Sequence, residues 1–392
     1  MSRVTSSDAV PAAHANTQDK CLWKADKNIA LAQASRRLCF VGLMIGRNPG
    51  YVTTQEQIVA DLFAKAGYPV VSVSASTNRY LRLIDIVRTL IRQRDEFDVM
   101  VLAIFSGPSF VVEDIASLIA RRFNKRVIMF LHGGAMPQFM ARFPRWTRRV
   151  LGRAEALIAP SSYLSEAIAP YGFTARIIPN VVDLSHYEYR PRKELRPRLF
   201  WMRSFEDAYN PSMAVRVLAR LRLSIPEATL VMAGQDKGLG AETRRLAEES
   251  GVADRIRFPG FLTPPMKARE GSAADIFINT NRIDNMPVGI IEAGAMGLPV
   301  VATAVGGIPH LLKDGETGLL VADDDADAMA EAIKRLLSNS ALAARLSAGG
   351  RRLAERCAWE NVRTEWERLF EELMTSTDGE SAAEGASRRK RY

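Results

Sequence analysis

The chain has 392 residues, of which 47% are hydrophobic, 25% charged and 8% aromatic. A composition of this kind excludes collagen-like, low-complexity and wholly disordered proteins, and the length favours roughly two to three domains. The net charge of +9 is concentrated in residues 36–190, which carry 20 basic and 12 acidic side chains. That excess favours a negatively charged partner, which would be an anionic membrane, an acidic substrate or nucleic acid.

Targeting and redox signals are weak along the whole chain. No apolar run approaches the ~18 residues that a membrane-spanning helix needs, and the N-terminal segment lacks the apolar core of a secretory signal. The three cysteines, Cys21, Cys39 and Cys357, are odd in number and have no metal-ligand spacing, which fits a reducing compartment. We therefore predict a cytoplasmic protein without a metal site.

The first half of the chain alternates short apolar runs with segments of helical period. Residues 1–35 show no sustained apolar period and are predicted to form a disordered arm. Helical segments such as Gln55–Ala66 and Ile115–Phe123 separate most of the apolar runs, which indicates a parallel sheet with both faces covered. The predicted strands of this domain, residues 36–190, are Leu38–Ile45, Val70–Ser74, Val99–Phe105, Val127–His132, Ala156–Ala159 and Arg176–Ile178.

After a polar joint at Tyr189–Pro197 the same alternation begins again. The fold class is therefore α/β, with two doubly wound domains, and we expect ligands at the carboxyl ends of the strands, in the cleft between the domains. Residues 375–392 are predicted to be a disordered tail. The predicted strands of the second half are Arg198–Met202, Thr229–Ala233, Ile256–Pro259, Ile276–Asn279, Pro299–Ala302 and Gly318–Val321. The predicted helices include Pro211–Ser224, Ala241–Ser250, Val288–Met296 and Asp325–Leu337.

The densest chemical signal lies in Asn279–Pro309, which is predicted to run strand, loop, helix, turn, strand and Gly-Gly turn. Asp284 falls in the loop, and Glu292 lies about one turn inside the following helix. The first backbone amides of that helix, Val288–Ile290, form a candidate anion site because they have no carbonyl partner within the helix. The two carboxylates would flank a phosphate bound there. On spacing alone, an ordinary helix–strand unit with a loop aspartate is the alternative.

This segment resembles the C-terminal signature of retaining GT-B glycosyltransferases of family 4, which is E-x7-E followed by EAMA-x-G-x-P-V-V-A and a V-G-G-x-P turn. The matching residues here are Glu292–Ala302, EAGAMGLPVVA, and Val305–Pro309, VGGIP. The resemblance extends from about residue 38 to residue 374. It includes three further segments, Ile178–Asp183, Phe258–Phe261 and Ala358–Val362.

The resemblance implies a GT-B fold, in which two Rossmann-like domains face each other across a cleft. Residues 36–190 would form the acceptor-side domain, residues 191–355 would bind the nucleotide sugar, and residues 356–374 would be a helix that crosses back to the first domain. The implied reaction moves a sugar from a nucleoside-diphosphate sugar to an acceptor hydroxyl with the anomeric configuration kept. Polysaccharide or glycolipid assembly would be its setting, with a glycan or lipid-linked acceptor and no cofactor or metal.

The resemblance also implies roles for individual residues of the second domain. Asp284 would lie near the donor sugar, Glu292 would hold the ribose hydroxyls, and Arg203 would face the diphosphate. Two positions depart from the family pattern, because Asp284 is one methylene shorter than the usual glutamate and Tyr209 stands where the family has a lysine. A tyrosine supplies no positive charge, so the diphosphate would depend more on Arg203, with Lys237 as a compensating cation. Gly234 and Phe261, each at the end of a strand, complete the donor-binding set with Val288, Gly289 and Ile290.

In the first domain, His132 follows a strand, where the family places a histidine that faces the donor sugar. Gly46 and Gly50 lie in a glycine-rich turn that resembles the family's loop under the diphosphate and acceptor. This turn is neither G-x-G-x-x-G nor G-x-x-x-x-G-K-[ST], which argues against a dinucleotide oxidoreductase and a P-loop NTPase. Ser161 and Ser162 either line the cleft or cap a helix.

Two charged segments need separate interpretation. The run Asp323–Asp325 superficially resembles a metal-binding D-x-D motif, but it directly precedes a helical pattern and is predicted to stabilise that helix. The basic run Arg142–Arg153 is predicted to form a helix that begins at Pro144. Its candidate membrane contacts are Arg145, Trp146, Arg149 and Arg153. A helix of this kind can lie on an anionic bilayer, and the alternative is a solvated helix whose apolar side packs on the core.

Our hypothesis is a retaining glycosyltransferase, cytoplasmic or peripheral on the inner face of the membrane, that uses a nucleotide sugar and does not bind nucleic acid. The departures at Tyr209 and Asp284 leave an alternative, a catalytically degenerate GT-B protein that serves as a partner subunit. A nucleic-acid-binding protein would explain the basic first half but lacks a recognition module. A GT-B sugar-nucleotide epimerase is a further alternative, disfavoured by the transferase-like signature.

Overall fold

A computed structural model describes residues 36–48 and 51–389 of the chain. The predicted disordered arm, residues 1–35, and the predicted donor-binding Gly50 lie outside the described residues. The described chain forms two domains, each built on one six-stranded sheet with helices on both faces. The α/β fold class that the alternation of apolar runs and helical segments predicts is confirmed.

The N-terminal sheet contains six parallel strands in the order β2-β1-β3-β4-β5-β6. All six predicted strands are present, but the first ends at Val41 rather than Ile45, because the chain turns at Gly42 and Ile45–Arg47 form a short 3-10 helix. The strands are β1 (Leu38–Val41), β2 (Val70–Val73), β3 (Val99–Ile104), β4 (Arg126–Leu131), β5 (Ala156–Ala159) and β6 (Arg176–Ile177). The helices are α1 (Gln55–Lys65), α2 (Arg79–Arg92), α3 (Phe110–Arg122), α4 (Met136–Arg142), α5 (Pro144–Leu151) and α6 (Ser162–Ile168).

The C-terminal sheet repeats this plan with the strand order β12-β11-β10-β7-β8-β9. All six strands predicted for this half are present, with ends that move by a residue or less. The strands are β7 (Arg198–Met202), β8 (Thr229–Ala233), β9 (Ile256–Gly260), β10 (Ile276–Asn279), β11 (Val300–Thr303) and β12 (Leu319–Val321). The helices are α7 (Pro211–Arg222), α8 (Gly240–Glu249), α9 (Pro264–Ala273), α10 (Val288–Ala295), α11 (Ile308–Leu311), α12 (Ala326–Ser338) and α13 (Ser340–Arg356).

The direction of strand order reverses between β1 and β3 in the first sheet and between β7 and β10 in the second. Doubly wound sheets bind ligands beyond the carboxyl ends of the strands at such a reversal. Arg203 directly follows β7, and the loop that carries Asp284 follows β10, so both lie at the reversal of the second sheet. The topology therefore places the two residues side by side although 81 positions separate them in sequence.

The last helix, α14 (Trp359–Arg389), packs on the first domain. The Trp366 ring is fully buried there, and its centroid lies 6.5 Å from that of Phe40, 6.3 Å from Phe63 and 5.5 Å from Phe130. The helix starts three residues later than the predicted boundary at residue 356 and continues through Arg389, into the segment for which the sequence predicts a disordered tail. Alanine, glutamate and arginine in that segment favour helix.

The carboxylates of the Asp323–Asp325 run have structural partners. The Asp325 side chain accepts a hydrogen bond from Ala328 N (2.8 Å) at the start of α12, which confirms the predicted cap. The Asp324 carboxylate accepts a hydrogen bond from Asn210 Nδ2 (2.9 Å) at the start of α7. None of the described helices combines the length and the apolar composition that crossing a bilayer requires.

Replacement of Trp366 by alanine should lower the free energy of unfolding by about 3–5 kcal/mol, because it leaves a cavity between α14 and the first sheet. Trp366→Phe should cost less, since Trp366 Nε1 has no hydrogen-bond partner among the described residues. Urea unfolding followed by circular dichroism measures the change, and the exposed Thr375→Ala on the same helix is the control. Equal midpoints for Trp366→Ala and Thr375→Ala would contradict this packing.

Candidate active site

The loop after β10 meets the loop after β4 across the cleft. A Cβ atom on Gly134 would lie 2.9 Å from the backbone N, Cα and C of Asp284, a distance that real Cβ atoms do not reach. His132 and Asp284 are therefore carried by backbone segments in direct contact. Only glycine at position 134 allows this approach of the first domain to the second.

Arg203 and Asp284 form an ion pair in the cleft. Arg203 Nη2 donates to Asp284 Oδ2 over 2.7 Å, and both side chains are largely buried. Asn281 Nδ2 also donates to Oδ2, and the Asn285 backbone N–H donates to Oδ1, each over 2.7 Å. Burial raises the pKa of Asp284, and the positive charge of Arg203 opposes that rise. Arg203, predicted to face the diphosphate, and Asp284, predicted to lie near the donor sugar, are thus held together in one hydrogen-bonded group.

The V-G-G-x-P turn packs against the backbone of this group, at Asp284 and Asn285. A Cβ atom on Gly306 would overlap the carbonyl oxygen of Asp284, and one on Gly307 would overlap that of Asn285. Gly307 N also donates to Asp284 O over 2.9 Å. The two glycines of the motif are therefore required by close backbone packing, and they fix the position of the Asp284 backbone.

Tyr209, which stands at the position of the family's lysine, packs against Arg203. The Arg203 guanidinium carbon lies 5.0 Å from the centre of the Tyr209 ring, which is a cation–π contact. Burial raises the pKa of Tyr209. Lys237, the predicted compensating cation, bonds to Glu206 over 2.9 Å. Tyr209 thus supports the arginine rather than supplying the missing charge.

Glu292 is buried inside α10 and has two partners that the sequence did not single out. Lys267 Nζ, on α9, lies 2.8 Å from Glu292 Oε1 and 3.2 Å from Oε2. The Tyr187 hydroxyl donates to Oε1 over 2.7 Å. Burial and the charge of Glu292 raise the pKa of Tyr187, which stays protonated. The sequence spacing could not reveal this group, because its members lie 25 and 105 residues from Glu292.

The N-terminus of α10 lies against the end of β7. A Cβ atom on Gly289 would lie 3.5 Å from the Met202 carbonyl oxygen, in ordinary contact. The first turn of α10, with the amides of Val288 and Gly289, therefore lies near the backbone residue that precedes Arg203. The prediction of three free amides is wrong for Ile290, whose N–H donates to Pro287 O over 3.1 Å and closes a tight first turn.

Three further predicted residues differ in how they relate to this group. Gly234 has a φ of +153°, and a Cβ atom there would overlap the Arg203 carbonyl oxygen, so the end of β8 packs on the backbone of Arg203. Gly46 N donates to Gln57 Oε1 over 2.9 Å, within the turn after β1. Phe261 follows the end of β9, where Gly260 O accepts from Gly234 N over 2.9 Å.

On the first domain, His132 is enclosed by aromatic rings and carboxyls. Its ring stacks on Phe105 with centroids 5.0 Å apart, and its Nε2 lies 4.0 Å from Glu56 Oε2. Burial lowers the pKa of His132 to about 3, so the ring is neutral. Burial raises the pKa of Glu56 to about 7 and that of Glu113 well above its ordinary value. Each of these three side chains has one buried polar atom without a hydrogen-bond partner among the described residues.

Glu56 and Glu113 are site residues that the sequence analysis missed. Glu56 Oε1 accepts from Leu43 N (3.1 Å), after β1, and Glu113 Oε1 accepts from Phe105 N (2.9 Å), after β3. The two carboxyls thus hold the loops at the strand-order reversal of the first sheet. A charged residue on the buried side of a helix is the sequence signal that could have found each of them.

Contacts between the domains continue beyond Asp284. Ser161 Oγ donates to Asn285 Oδ1, and Ser162 Oγ lies 2.8 Å from His310 Nδ1. Asn180 Nδ2 donates to Met286 O over 2.9 Å. Of the two sequence interpretations for the serines, the structure favours lining the cleft, because neither hydroxyl caps α6.

The four candidate membrane contacts on and just after α5 differ in exposure. Trp146 Nε1 donates to Asp114 Oδ2 (2.7 Å), and its ring packs edge-on against Phe110 at 4.9 Å. Arg149 and Arg153 both bond to the Asp114 carboxylate, which neutralises part of their charge. Trp146 therefore packs as the alternative predicts, on the apolar core. Arg145 and Arg149 are exposed, and membrane contact through them stays a prediction.

Two family models match consecutive parts of the chain. The model for glycosyl transferases group 1 matches residues 196–339, and the model for glycosyltransferase family 4 matches residues 46–186. The chain belongs to the group 1 glycosyltransferases of the GT-B fold. The recognition of this family from the Asn279–Pro309 segment is confirmed.

Named relatives of this group 1 protein act on inositol-containing substrates. A phosphatidyl-myo-inositol mannosyltransferase of Mycobacterium leprae is 28% identical over 59% of this chain and 62% of its own length. A D-inositol 3-phosphate glycosyltransferase of Stackebrandtia nassauensis is 36% identical over 39% of this chain and 36% of its own length. The alignments thus span less than two thirds of these relatives.

Solved structures of the same fold match over most of the chain. A sucrose-phosphate synthase from Thermosynechococcus elongatus has a TM-score of 0.73 at 20% identity and covers 87% of this chain and 100% of its own. Anabaena Alr3699/HepE in complex with UDP has a TM-score of 0.66 at 16% identity, over 86% and 100% of the two chains. These likenesses confirm the two-domain GT-B architecture.

The buried carboxyl of Glu56 should make the stability of this group 1 protein depend on pH. Its folded pKa of about 7 exceeds the ordinary 4.5, so the unfolded state releases the proton first and stability falls as pH rises between these values. Glu56→Gln should therefore match the wild type near pH 4.5 and exceed its stability by up to roughly 3 kcal/mol at pH 8. Urea unfolding at several pH values tests this, with the exposed Glu242→Gln as control. Parallel pH profiles for wild type and Glu56→Gln would refute a buried, proton-binding Glu56.

Two glycine substitutions test the packing around Arg203. Gly234→Ala should destabilise the protein by about 1–3 kcal/mol, because the strained φ and the overlap with Arg203 O must be relieved. Gly289→Ala should be neutral or stabilising by up to ~1 kcal/mol, because its Cβ meets only ordinary contacts on a helix. Thermal unfolding midpoints measure both variants. A Gly289→Ala protein that is as unstable as Gly234→Ala would contradict the geometry given for α10.

Proposed function

We propose that this chain is a retaining glycosyltransferase that moves a sugar from a nucleoside-diphosphate sugar to an acceptor hydroxyl. One observation carries the proposal: Arg203, Asp284 and the N-terminus of α10 come together at the strand-order reversal of the second sheet. An arginine fork and unpaired helix amides are suited to a diphosphate, and the adjacent carboxylate is suited to sugar hydroxyls. The GDP-mannose-dependent name of a Mycobacterium tuberculosis relative and the UDP complex of a structural neighbour support a nucleotide sugar.

The proposed division of roles follows the contacts in the cleft. Arg203 keeps donors for phosphate while Nη2 bonds to Asp284, since its buried Nε has no partner among the described residues. The amides of Val288 and Gly289 would bind the same diphosphate from the helix side. Glu292 would hold the ribose hydroxyls, with its carboxylate positioned by the Lys267 ammonium group. Because that lysine balances the charge of Glu292, the site can keep a buried carboxylate close to an anionic ligand.

The proposed mechanism is a front-face substitution. The bond between the anomeric carbon and the diphosphate oxygen breaks, the acceptor oxygen bonds to the same face, and the departing diphosphate takes the acceptor proton. The protein then has to stabilise negative charge on the diphosphate, which is the role of Arg203 and the α10 amides. Asp284 and the neutral His132 would orient the sugar. We expect no metal ion or other cofactor to be required, and closure of the domains would exclude water from the donor.

The acceptor and the cellular site belong to the same proposal. Relatives named for phosphatidylinositol substrates favour a lipid-linked or glycan acceptor, in polysaccharide or glycolipid assembly. The basic excess of residues 36–190 fits peripheral contact with an anionic membrane on its cytoplasmic face. Nucleic acid is not a proposed partner.

A catalytically degenerate GT-B protein is the second candidate function. The observation that favours it is Tyr209, which stands at the position of the family's lysine and contributes no positive charge. A partner subunit of this type would not bind nucleotide sugars, so titration calorimetry separates the two candidates.

The decisive experiment is a thermal-shift screen of UDP-, GDP-, ADP- and dTDP-sugars, followed by kinetics with the stabilising donor. Arg203→Ala should lower kcat/KM for transfer by about 10²–10³-fold, because charge on the diphosphate loses its main cation. Glu292→Ala should mainly weaken donor binding, by about 10–100-fold, because it removes charged hydrogen bonds to the ribose. The surface variant Arg220→Ala is the matched control, since Arg220 pairs with Asp327 on the exterior. Near-normal kinetics in both site variants would refute the assignment.

A further inference from the structure

Apart from the cleft between the domains, a cavity lies at the carboxyl end of the first sheet, between α2 and α3. Its volume is about 570 Å³, within the range of roughly 300–1,000 Å³ that small-molecule sites occupy. Its walls are mainly aliphatic and include Val41, Leu43, Leu83, Ile86, Leu102 and Val112. This cavity is distinct from the Arg203–Asp284 group, which belongs to the other domain.

Phe105 connects the cavity to the candidate active site. One side of its ring lines the cavity, and the ring stacks on His132 with centroids 5.0 Å apart. His132 lies in the loop whose Gly134 contacts Asp284. A molecule in the cavity would therefore lie beside the first-domain wall of the cleft, next to His132.

Apolar side chains continue from the cavity onto the surface of α2. Tyr80, Leu81 and Ile84 are 64%, 59% and 62% exposed, and Val111 on α3 is 45% exposed. Scattered exposed apolar residues need no explanation, but Tyr80 and Val111 also line the cavity, and exposed apolar side chains at the mouth of an apolar cavity mark a binding surface. The ligand that fits this surface has an apolar portion longer than the cavity alone accommodates.

Two arginines at the mouth of the cavity have no acidic partner among the described residues. Helix α2 carries four arginines and one aspartate, and Arg79 and Arg82 line the cavity. No described carboxylate lies within salt-bridge distance of either side chain; Arg79 Nη2 donates to the Tyr80 hydroxyl over 3.0 Å and Arg82 Nη1 donates to Ser76 O over 3.2 Å. By contrast, Arg149 on α5 and Arg153 just after that helix share Asp114. The complementary group at the mouth of the cavity is therefore an anion.

One buried carboxyl lines the cavity. Glu113 is 3% exposed, and its Oε2 atom has no hydrogen-bond partner among the described residues. Burial raises the pKa of Glu113 well above its ordinary value, which favours the protonated form of the carboxyl. A protonated carboxyl does not repel an apolar or anionic ligand, and it can bond to a ligand hydroxyl.

We propose that the cavity binds the apolar chain of an anionic lipid, with Arg79 and Arg82 at the lipid phosphate, and that such a lipid is the acceptor. This inference rests on the proposed glycosyltransferase function and deepens it by naming the acceptor class. A water-soluble glycan would not use the aliphatic walls, and a neutral lipid would not use the charge of Arg79 and Arg82. An apolar cavity with an apolar rim, beside two arginines that pair with no described carboxylate, selects an amphiphile with a phosphate.

Titration calorimetry with monomeric lysophosphatidylglycerol that has a 14-carbon chain tests the proposal on the full chain. We expect saturable binding of this lipid, weaker binding of lysophosphatidylcholine with the same chain, and no detectable binding of glycerol 3-phosphate. The last probe separates a lipid headgroup from free phosphate, because it carries the anion without the chain. Equal binding of glycerol 3-phosphate, or no binding of the lysolipid, would overturn the proposal.

Matched variants locate the binding surface. The double variant Arg79→Ala/Arg82→Ala should weaken lysophosphatidylglycerol binding by about 25-fold, at about fivefold for each arginine. Leu83→Glu should abolish binding by placing a carboxylate in the cavity, whereas Leu118→Glu, exposed on α3 and outside the cavity, should leave it unchanged. Arg145→Ala, on the other basic helix, is the charge control. Equal losses in Arg145→Ala and in an α2 single variant would show non-specific attraction and reject the cavity.

Nucleotide-sugar binding, measured in the same variants, separates a failure of the lipid site from a failure of the proposed glycosyltransferase function. Retained donor binding with unchanged lipid affinity in the α2 variants would reject the lipid site and leave the proposed function intact. Absence of donor binding in the wild type would reject the proposed function itself. Retained donor binding with lost lipid binding and lost transfer to lipid would support both.

Discussion

The backbone of Asp284 is the point on which the rest of the cleft depends. Gly134 of the first domain, Gly306 and the Arg203 side chain all contact this residue from different directions. Any side chain larger than hydrogen at either glycine would push the loop away, so the loop has one position. That position brings the arginine of one strand end and the first-turn amides of α10 to a common place. The domain arrangement and the chemistry of the cleft are therefore set by the same close backbone contacts.

The fold was largely predictable because its strands are continuous apolar runs. All twelve predicted strands are present, since the strands of a parallel sheet that is covered on both faces are mainly apolar. The prediction erred where the local pattern depended on a distant partner. The sequence predicts that Trp146 faces a membrane, but its Nε1 donates to Asp114, 32 residues earlier, and its ring packs on Phe110. The prediction extended β1 to Ile45 because Leu43–Ile45 are apolar. In the structure these residues follow the strand, in a loop and at the start of a short 3-10 helix.

The candidate site was predictable to the extent that it follows local motifs. The segment that contains Asp284 and Glu292 identified the family, and the position of Arg203 after β7 followed from the resemblance. Lys267 could not be found in this way, and Glu56 could be found only through its place on the buried side of a helix. Each completes a group whose other members come from different strands and helices, and no spacing in the sequence encodes such pairing. The fold brings these ionisable side chains out of water, and their neighbours or their protonation then balance the charge.

The two passages of the chain between the domains lie next to each other. Val182, on the first passage, forms an isolated bridge with Ala358, on the second, and its N–H donates to Cys357 O over 2.9 Å. A joint of this kind acts as a pivot, about which the halves can turn but cannot slide. In a rotation, displacement grows with distance from the axis. A small rotation of one domain relative to the other about Val182 can thus open the cleft most at the residues that lie farthest from this joint, while both sheets stay rigid.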